Sequence, residues 1–233
     1  MNLKPKRGVL LAGPPGTGKT TIGRALAHRL KGKFFLIDGT IVAGSSSFYS
    51  EIDSVFEKAS RNAPSIIFID DADVIFGGDK ESGLYRYLLT KLDGLESASA
   101  SRVCVMMTAM EPADLPAAVL RSGRVDLWLE TRLPDTSARV EILGERLAAM
   151  PPPLCDVDLA LLASASSGMT GADLKAIIDD GKLLFARDRS LGNPQRPAED
   201  YFLNAIEMVR QNRRKYKKPR RTDSLRRQPS GSE

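Results

Sequence analysis

The rhythm of apolar and polar positions changes once, decisively, along this chain. From Val9 to Leu129, short unbroken apolar runs alternate with segments whose apolar residues recur every three or four positions. The runs are Val9-Leu10-Leu11-Ala12, Phe34 to Ile37, Ser65-Ile66-Ile67-Phe68-Ile69, Val103 to Met107 and Leu127-Trp128-Leu129. Runs without polar alternation predict strands buried on both faces. Between them, Thr20 to Leu30 (apolar at Ile22, Leu26 and Leu30), Phe48 to Asn62 and Leu84 to Leu95 carry helical spacing. Pro64 closes the second of these, because the residue before a proline is biased away from helix. Strands alternating with helices predict an α/β fold with a five-stranded parallel sheet. After about Leu133 the strand signal stops. Thr136 to Met150, Asp158 to Ala165, Gly171 to Arg187 and Pro197 to Asn212 all read as helices, with Pro151-Pro152-Pro153 as a loop. Thr170 suits an N-cap, and Asp173 puts a carboxylate in the first turn. The expected organisation is an α/β domain over 1–133, a small C-terminal helical lid over 134–209 and a tail over 210–233.

Charge sets the tail apart. The chain carries a net charge of +5. The segment from Arg210 to Glu233 alone holds ten Lys/Arg against two acids, so the remaining body is mildly acidic. A segment of Arg, Lys, Ser, Pro and Gln has little to bury and is expected to be disordered. Two functional readings of it stay open beside a plain solvated tail. One is salt-sensitive contact with nucleic acid or an acidic protein, which is not the favoured reading. The other is a nuclear address at Lys217-Lys218-Pro219-Arg220-Arg221, with Ser224 as a nearby phosphate acceptor. No apolar stretch approaches the roughly 20 residues of a membrane span, and Met1-Asn2-Leu3-Lys4-Pro5-Lys6 does not read as a signal peptide. A cytoplasmic location is expected, with a nuclear one as the alternative. Cys104 and Cys155 form no motif, and the single histidine, His28, reads as a helix-surface residue. No Cys/His metal cluster is present in the sequence.

The chemistry begins directly after the first strand. Gly13-Pro14-Pro15-Gly16-Thr17-Gly18-Lys19-Thr20 fits the phosphate-loop pattern, and it lies between a buried strand and a helix as that pattern requires. Glycines at 13, 16 and 18 let the backbone curl so that successive N–H groups point inward, at a helix N-terminus, toward an anion. Lys19 can bridge the β- and γ-phosphates of ATP, and the Thr20 hydroxyl can ligate Mg²⁺. The second half of such a site is an acid at the end of a neighbouring strand. Asp70 closes the run from Ser65 and is expected beside Thr20, as part of the Mg²⁺ site. Asp71 follows as the candidate base for the attacking water.

Four motifs together resemble the AAA-type (AAA+) ATPase module. They are the loop GPPGTGKT, the stretch APSIIFIDDAD at Ala63 to Asp73, Leu120-Arg121-Ser122-Gly123-Arg124-Val125-Asp126, and Ser167-Gly168-Met169-Thr170-Gly171-Ala172-Asp173-Leu174. The likeness covers Lys6 to about Met208. It implies a phosphate-loop NTPase sheet with a helical lid, assembled with itself or with related AAA subunits into a ring, usually a hexamer. It also implies ATP hydrolysis coupled to remodelling of a protein or protein complex. On this resemblance Arg121 and Arg124 would reach the γ-phosphate of the adjoining subunit, where a guanidinium offsets charge on the transferring group. Gly171 and Ala172 would let the adenine approach the backbone, Ile142 would pack on its edge, and Arg146 stands where relatives often carry His. Leu92-Asp93-Gly94-Leu95 resembles the family's inter-subunit signalling segment.

The chain departs from that pattern in four places. The acid pair is Asp70-Asp71 where relatives have Asp-Glu, a loss of about 1.5 Å of reach, and a misplacement of about 1 Å can cost ~100-fold. Met110 stands where relatives place an Asn that positions water, and a thioether is a poor hydrogen-bonding group; Thr108 is the nearest substitute. Gly44-Ser45-Ser46 stands where threading relatives present an aromatic tip; Phe48 and Tyr49 lie just beyond, read first as core contacts at a helix start and second as displaced grips. Eight residues precede Val9 where relatives have several dozen, so the expectation is either a fragment or an adenine pocket open on one side. Slow hydrolysis is expected. A weakly or non-hydrolysing scaffold or regulatory subunit is the alternative, and a small-metabolite kinase is disfavoured by the Arg121–Asp126 and lid stretches.

Overall fold

A computed structural model describes residues 8–39, 48–76, 83–94, 102–121 and 123–216. Five strands form one parallel sheet: β1 (Gly8–Ala12), β2 (Lys33–Ile37), β3 (Ser65–Ile69), β4 (Val103–Ala109) and β5 (Leu127–Glu130), in the order β2-β3-β4-β1-β5. The order matters for the site. It sets the carboxyl ends of β3, β4 and β1 side by side, and ligands of open α/β sheets bind at such strand ends.

The strands carry apolar residues on both faces because both are covered. On one face Val9, Leu11, Ile66, Phe68 and Met106 pack with Ala27 of α1 (Lys19–Arg29). On the other, Leu10, Ile67, Ile69, Val105 and Met107 pack with Ile52 and Phe56 of α2 (Phe48–Arg61). The same core takes in Ile75 and Phe76 of α3 (Ala72–Phe76) and Leu88 and Leu92 of α4 (Gly83–Gly94).

Two elements sit differently from their sequence pattern. On α1 the buried residues are Gly23 and Ala27, while Ile22 and Leu30 are exposed. A Cβ at Gly23 would lie 2.5 Å from the Phe68 ring, so α1 approaches β3 through its small residues. Trp128, expected in the core, is half exposed, because β5 is an edge strand. Short α3 and a 3₁₀ turn at Pro112–Asp114 had no periodic signal to announce them.

The chain divides into two compact units. The first holds the described residues up to Asp135 together with Gly168–Ala172; the second holds Thr136–Ser167 and the described residues from Asp173 on. The second is helical: α5 (Thr136–Leu147), α6 (Leu159–Ala165), most of α7 (Gly171–Ser190) and α8 (Ala198–Tyr216). Asp158 caps α6, accepting from the N–H groups of Ala160 at 2.9 Å and Leu161 at 3.0 Å. Helix α8 runs on to Tyr216, so the first residues of the expected tail are helical. Arg213 is held there by Asp173 at 3.1 Å. The tail beyond, with the 217–221 basic cluster and Ser224, lies outside the described residues. No described helix is long and apolar enough to cross a membrane.

Candidate nucleotide site

The loop from Gly13 to Gly18 leaves β1 at its carboxyl end and opens α1. Its shape needs glycine at two kinds of place. Gly16 and Gly18 have φ of 77° and 91°, where other residues are strained. At Gly13 a Cβ would lie 2.1 Å from the Thr131 carbonyl oxygen. Thr131 is the anchor at the loop's base: its N–H donates to Ala12 O at 2.7 Å, and its Oγ1 pairs with Thr17 Oγ1 at 2.7 Å. Thr17 Oγ1 also donates to Pro14 O at 2.7 Å. Pro14, Pro15 and Gly16 are exposed, and the next four residues half-buried. Lys19 folds over the loop, its Nζ donating to Gly13 O at 2.6 Å and Pro14 O at 3.0 Å. An incoming phosphate would compete for those donors with carbonyls already within reach.

Of the two strand-end acids, Asp70 stands beside Thr20. Thr20 Oγ1 donates to Asp70 Oδ2 at 3.2 Å, across 50 positions of sequence. Asp70 Oδ1 accepts from Thr108 Oγ1 at 2.6 Å, and that same hydroxyl accepts from the N–H of Asp71 at 2.8 Å. Asp71 is exposed and adopts φ of 49°, a conformation Asp tolerates better than most residues. Partial desolvation of its inner side raises the Asp71 carboxyl above its ordinary pKa, Asp70 and Asp73 push the same way, and Lys19 opposes them. Asp73 Oδ2 accepts from the N–H of Met110 at 3.2 Å, while its Oδ1 is buried without a hydrogen-bond partner among the described residues. Met110 itself is half exposed at the strand's end.

The donor set suits a hard cation. Thr20 and Asp70 offer oxygen only, which is the ligand type of Mg²⁺, and leave its other positions to water and phosphate. Among the described residues no group of three or more His, Cys, Asp or Glu gathers to hold a metal. The cysteines stay outside the chemistry: burial pushes the Cys104 thiol up to about 11.

The remaining predicted residues fall in two places. Gly171 and Ala172 lie in the first unit beside the loop, and the N–H of Ala172 donates to Gly16 O at 3.1 Å. Ile142 is half-buried and Arg146 exposed on α5, in the second unit. Arg121 is exposed. Arg124 is engaged within the chain: its Nε and one terminal nitrogen donate to the two oxygens of Asp93 at 2.6 and 2.7 Å, and its other terminal nitrogen donates to Ala118 O. Phe48 is core, Tyr49 is exposed with its ring edge-on to Tyr87, and 44–46 lies outside the described residues. Sequence reading missed Thr131, whose partners stand far away in sequence, and it named Thr108 without its contacts.

A glycine-rich loop between a buried strand and a helix, with a lysine over it and a hydroxyl paired to a strand-end carboxylate, defines a phosphate-loop nucleotide-binding protein. The family model of the ATPase family associated with various cellular activities (AAA) matches residues 9–133, and the chain belongs to that family. It is similar to Protein SAV of Sulfolobus acidocaldarius, with 36% identity over 234 residues, covering 90% of this chain and 29% of that protein. It is 38% identical over 190 residues to the ATPase family gene 2 protein of Schizosaccharomyces pombe, covering 78% of this chain and 23% of that one. It is 36% identical over 222 residues to the ATP-dependent zinc metalloprotease FtsH of Syntrophotalea carbinolica, covering 90% and 33%. The chain thus spans about a third or less of the length of these curated relatives.

Proposed function

We propose that this chain binds ATP with Mg²⁺ in the loop Gly13–Thr20 and hydrolyses it slowly, within a ring of its own copies or related AAA subunits. The observation that carries the reading is the pairing of Thr20 with Asp70 at 3.2 Å, at the end of the loop that Lys19 folds over. In this reading Lys19 holds the β- and γ-phosphates, and Thr20 and Asp70 hold the cation. Asp71 takes the proton of the attacking water. Bound Mg²⁺ would supply charge neutralisation at the phosphate oxygens. Arg121 serves an adjoining subunit's site, with Arg124 fixing the segment that carries it. Gly171 and Ala172 line the adenine side. The work done is remodelling of a protein or protein complex, in keeping with the family.

A second reading has its own support. Asp71 is short, and Met110 offers no side-chain hydrogen bond where water must be placed, so a subunit that holds nucleotide without turning it over fits those two positions. Phosphate release and calorimetry on the purified chain separate the readings. Wild-type protein should take up ATP with Mg²⁺ and release phosphate, and Lys19→Ala should lose both. Uptake with a release rate no higher than that of Lys19→Ala selects the scaffold reading. No uptake by folded wild-type protein overturns both.

A further inference from the structure

Met110 leaves a gap in the polar chemistry at the end of β4, and the strand's own periodicity shows what stands near it. Side chains two apart on a strand share a face. Met106 packs on the α1 face of the sheet, so Thr108 points the same way, toward the helix that bears Thr20. The register pairs Phe68 with Met106 and Ile69 with Met107, which brings Thr108 level with the residues just past β3. Thr108 is fully buried. Its hydroxyl donates its single proton to Asp70 Oδ1 at 2.6 Å and accepts the Asp71 N–H at 2.8 Å. One buried oxygen therefore grips both acids. With Oδ1 committed to Thr108, Asp70 turns Oδ2 toward Thr20. With its N–H held, the Asp71 backbone is kept at φ 49°, and backbone direction is what aims a side chain with so little reach.

We propose that Thr108 is the positioning residue of this site. It orients Asp70 for the cation and fixes the backbone that aims Asp71, one pleat deeper in the sheet than the place where Met110 stands. It does not touch the nucleotide. The role rests on the nucleotide-binding reading above. It also makes an isosteric swap asymmetric: Thr108→Val keeps the shape and deletes the hydroxyl, while Thr108→Ser keeps the hydroxyl and deletes the methyl.

The test uses the full chain with ATP, with and without Mg²⁺. Thr108→Val should raise the Mg²⁺ concentration needed for half-maximal nucleotide binding about tenfold, the effect of one lost hydrogen bond to a charged group. Metal-free nucleotide affinity should stay within about twofold, because the loop's amides and Lys19 carry it. Phosphate release per bound site should fall at least about tenfold, as for a misaimed group, and amide hydrogen exchange at Asp71 should quicken. Thr108→Ser should restore all three. Thr108→Ala, also without the hydroxyl, replaces the valine should that variant fail to fold. Unchanged Mg²⁺ dependence in Thr108→Val, with the wild type binding normally, overturns this proposal alone. A serine variant as impaired as the valine, with the Asp71 amide still protected, overturns it in favour of methyl packing. Wild-type protein that binds no nucleotide takes the functional reading down, and this inference with it.

Discussion

Asp71 carries two burdens, a short reach and a left-handed backbone at φ 49°. Asn is the substitution that separates them. It keeps the size and shares the tolerance for this conformation, but it cannot accept a proton. Asp71→Asn should therefore lower phosphate release about 100-fold, within the range measured for removing a general base, and leave the ATP dissociation constant within about threefold as uniform binding is untouched. Equal release rates in the two proteins would remove Asp71 from the chemistry. A second residue-scale prediction concerns Asp93. Its hydrogen bonds to Arg124 hold its carboxyl below the ordinary value, so the pair stabilises the fold above the unfolded carboxylate pKa. That stability is lost as pH falls through the lowered folded value. At pH 7, Asp93→Asn should destabilise by about 1 kcal/mol, the upper part of the range for a solvent-exposed pair. The gap between wild type and variant should begin to narrow below about pH 4 and close once pH has passed the lowered folded value. A gap undiminished at pH 3 in urea titrations would show that the pair's contribution is not the charge on Asp93.

The elements themselves were largely legible, and the exceptions share a cause. Strands β1 to β5 follow unbroken apolar runs, because a parallel sheet covered on both sides has no polar face to alternate with. Helix α1 was legible as a helix but not in its facing. Ile22, Leu26 and Leu30 form the apolar stripe, yet Gly23 and Ala27 are the residues that bury. Helix–sheet separation decides this, and hydropathy is blind to it: the phosphate loop fixes where α1 starts, and Phe68 leaves no room for a side chain at Gly23. The consequence is a sign reversal. Gly to Ala inside an exposed helix normally stabilises by about 1 kcal/mol. Gly23→Ala should instead destabilise by about 1–3 kcal/mol, the cost of overpacking a filled site. Urea unfolding decides the sign, and a stabilised variant would mean that α1 does not approach β3 as closely as described. The site divides in the same way. Residues adjacent in sequence, from Gly13 to Thr20 and at Asp70 and Asp71, announced themselves by motif. Thr108, Thr131 and the Asp93 partner of Arg124 did not, because each contact joins strands or helices far apart in the chain and leaves no spacing to read.

At the scale of the whole molecule, the question is whether one chain makes a complete site. Thr20, Asp70 and Thr108 converge within one chain, at the end of the loop that Lys19 folds over, and Arg121 stands exposed. If Arg121 works on an adjoining subunit, its loss and the loss of Lys19 damage different partners of the same site. Lys19→Ala still offers an intact Arg121, and Arg121→Ala still offers an intact phosphate loop. Mixed in equal amounts, two inactive proteins should then regain activity wherever an Arg121→Ala loop faces a Lys19→Ala neighbour. That amounts to about a quarter of the wild-type rate for random order in a closed ring of head-to-tail contacts. A residue acting within its own chain gives no such recovery, because each variant would carry its own defect into every site. Light scattering with ATP and Mg²⁺ must show assembly of the mixture; a strict monomer, or an assembled mixture no faster than its components, would return Arg121 to being a surface arginine.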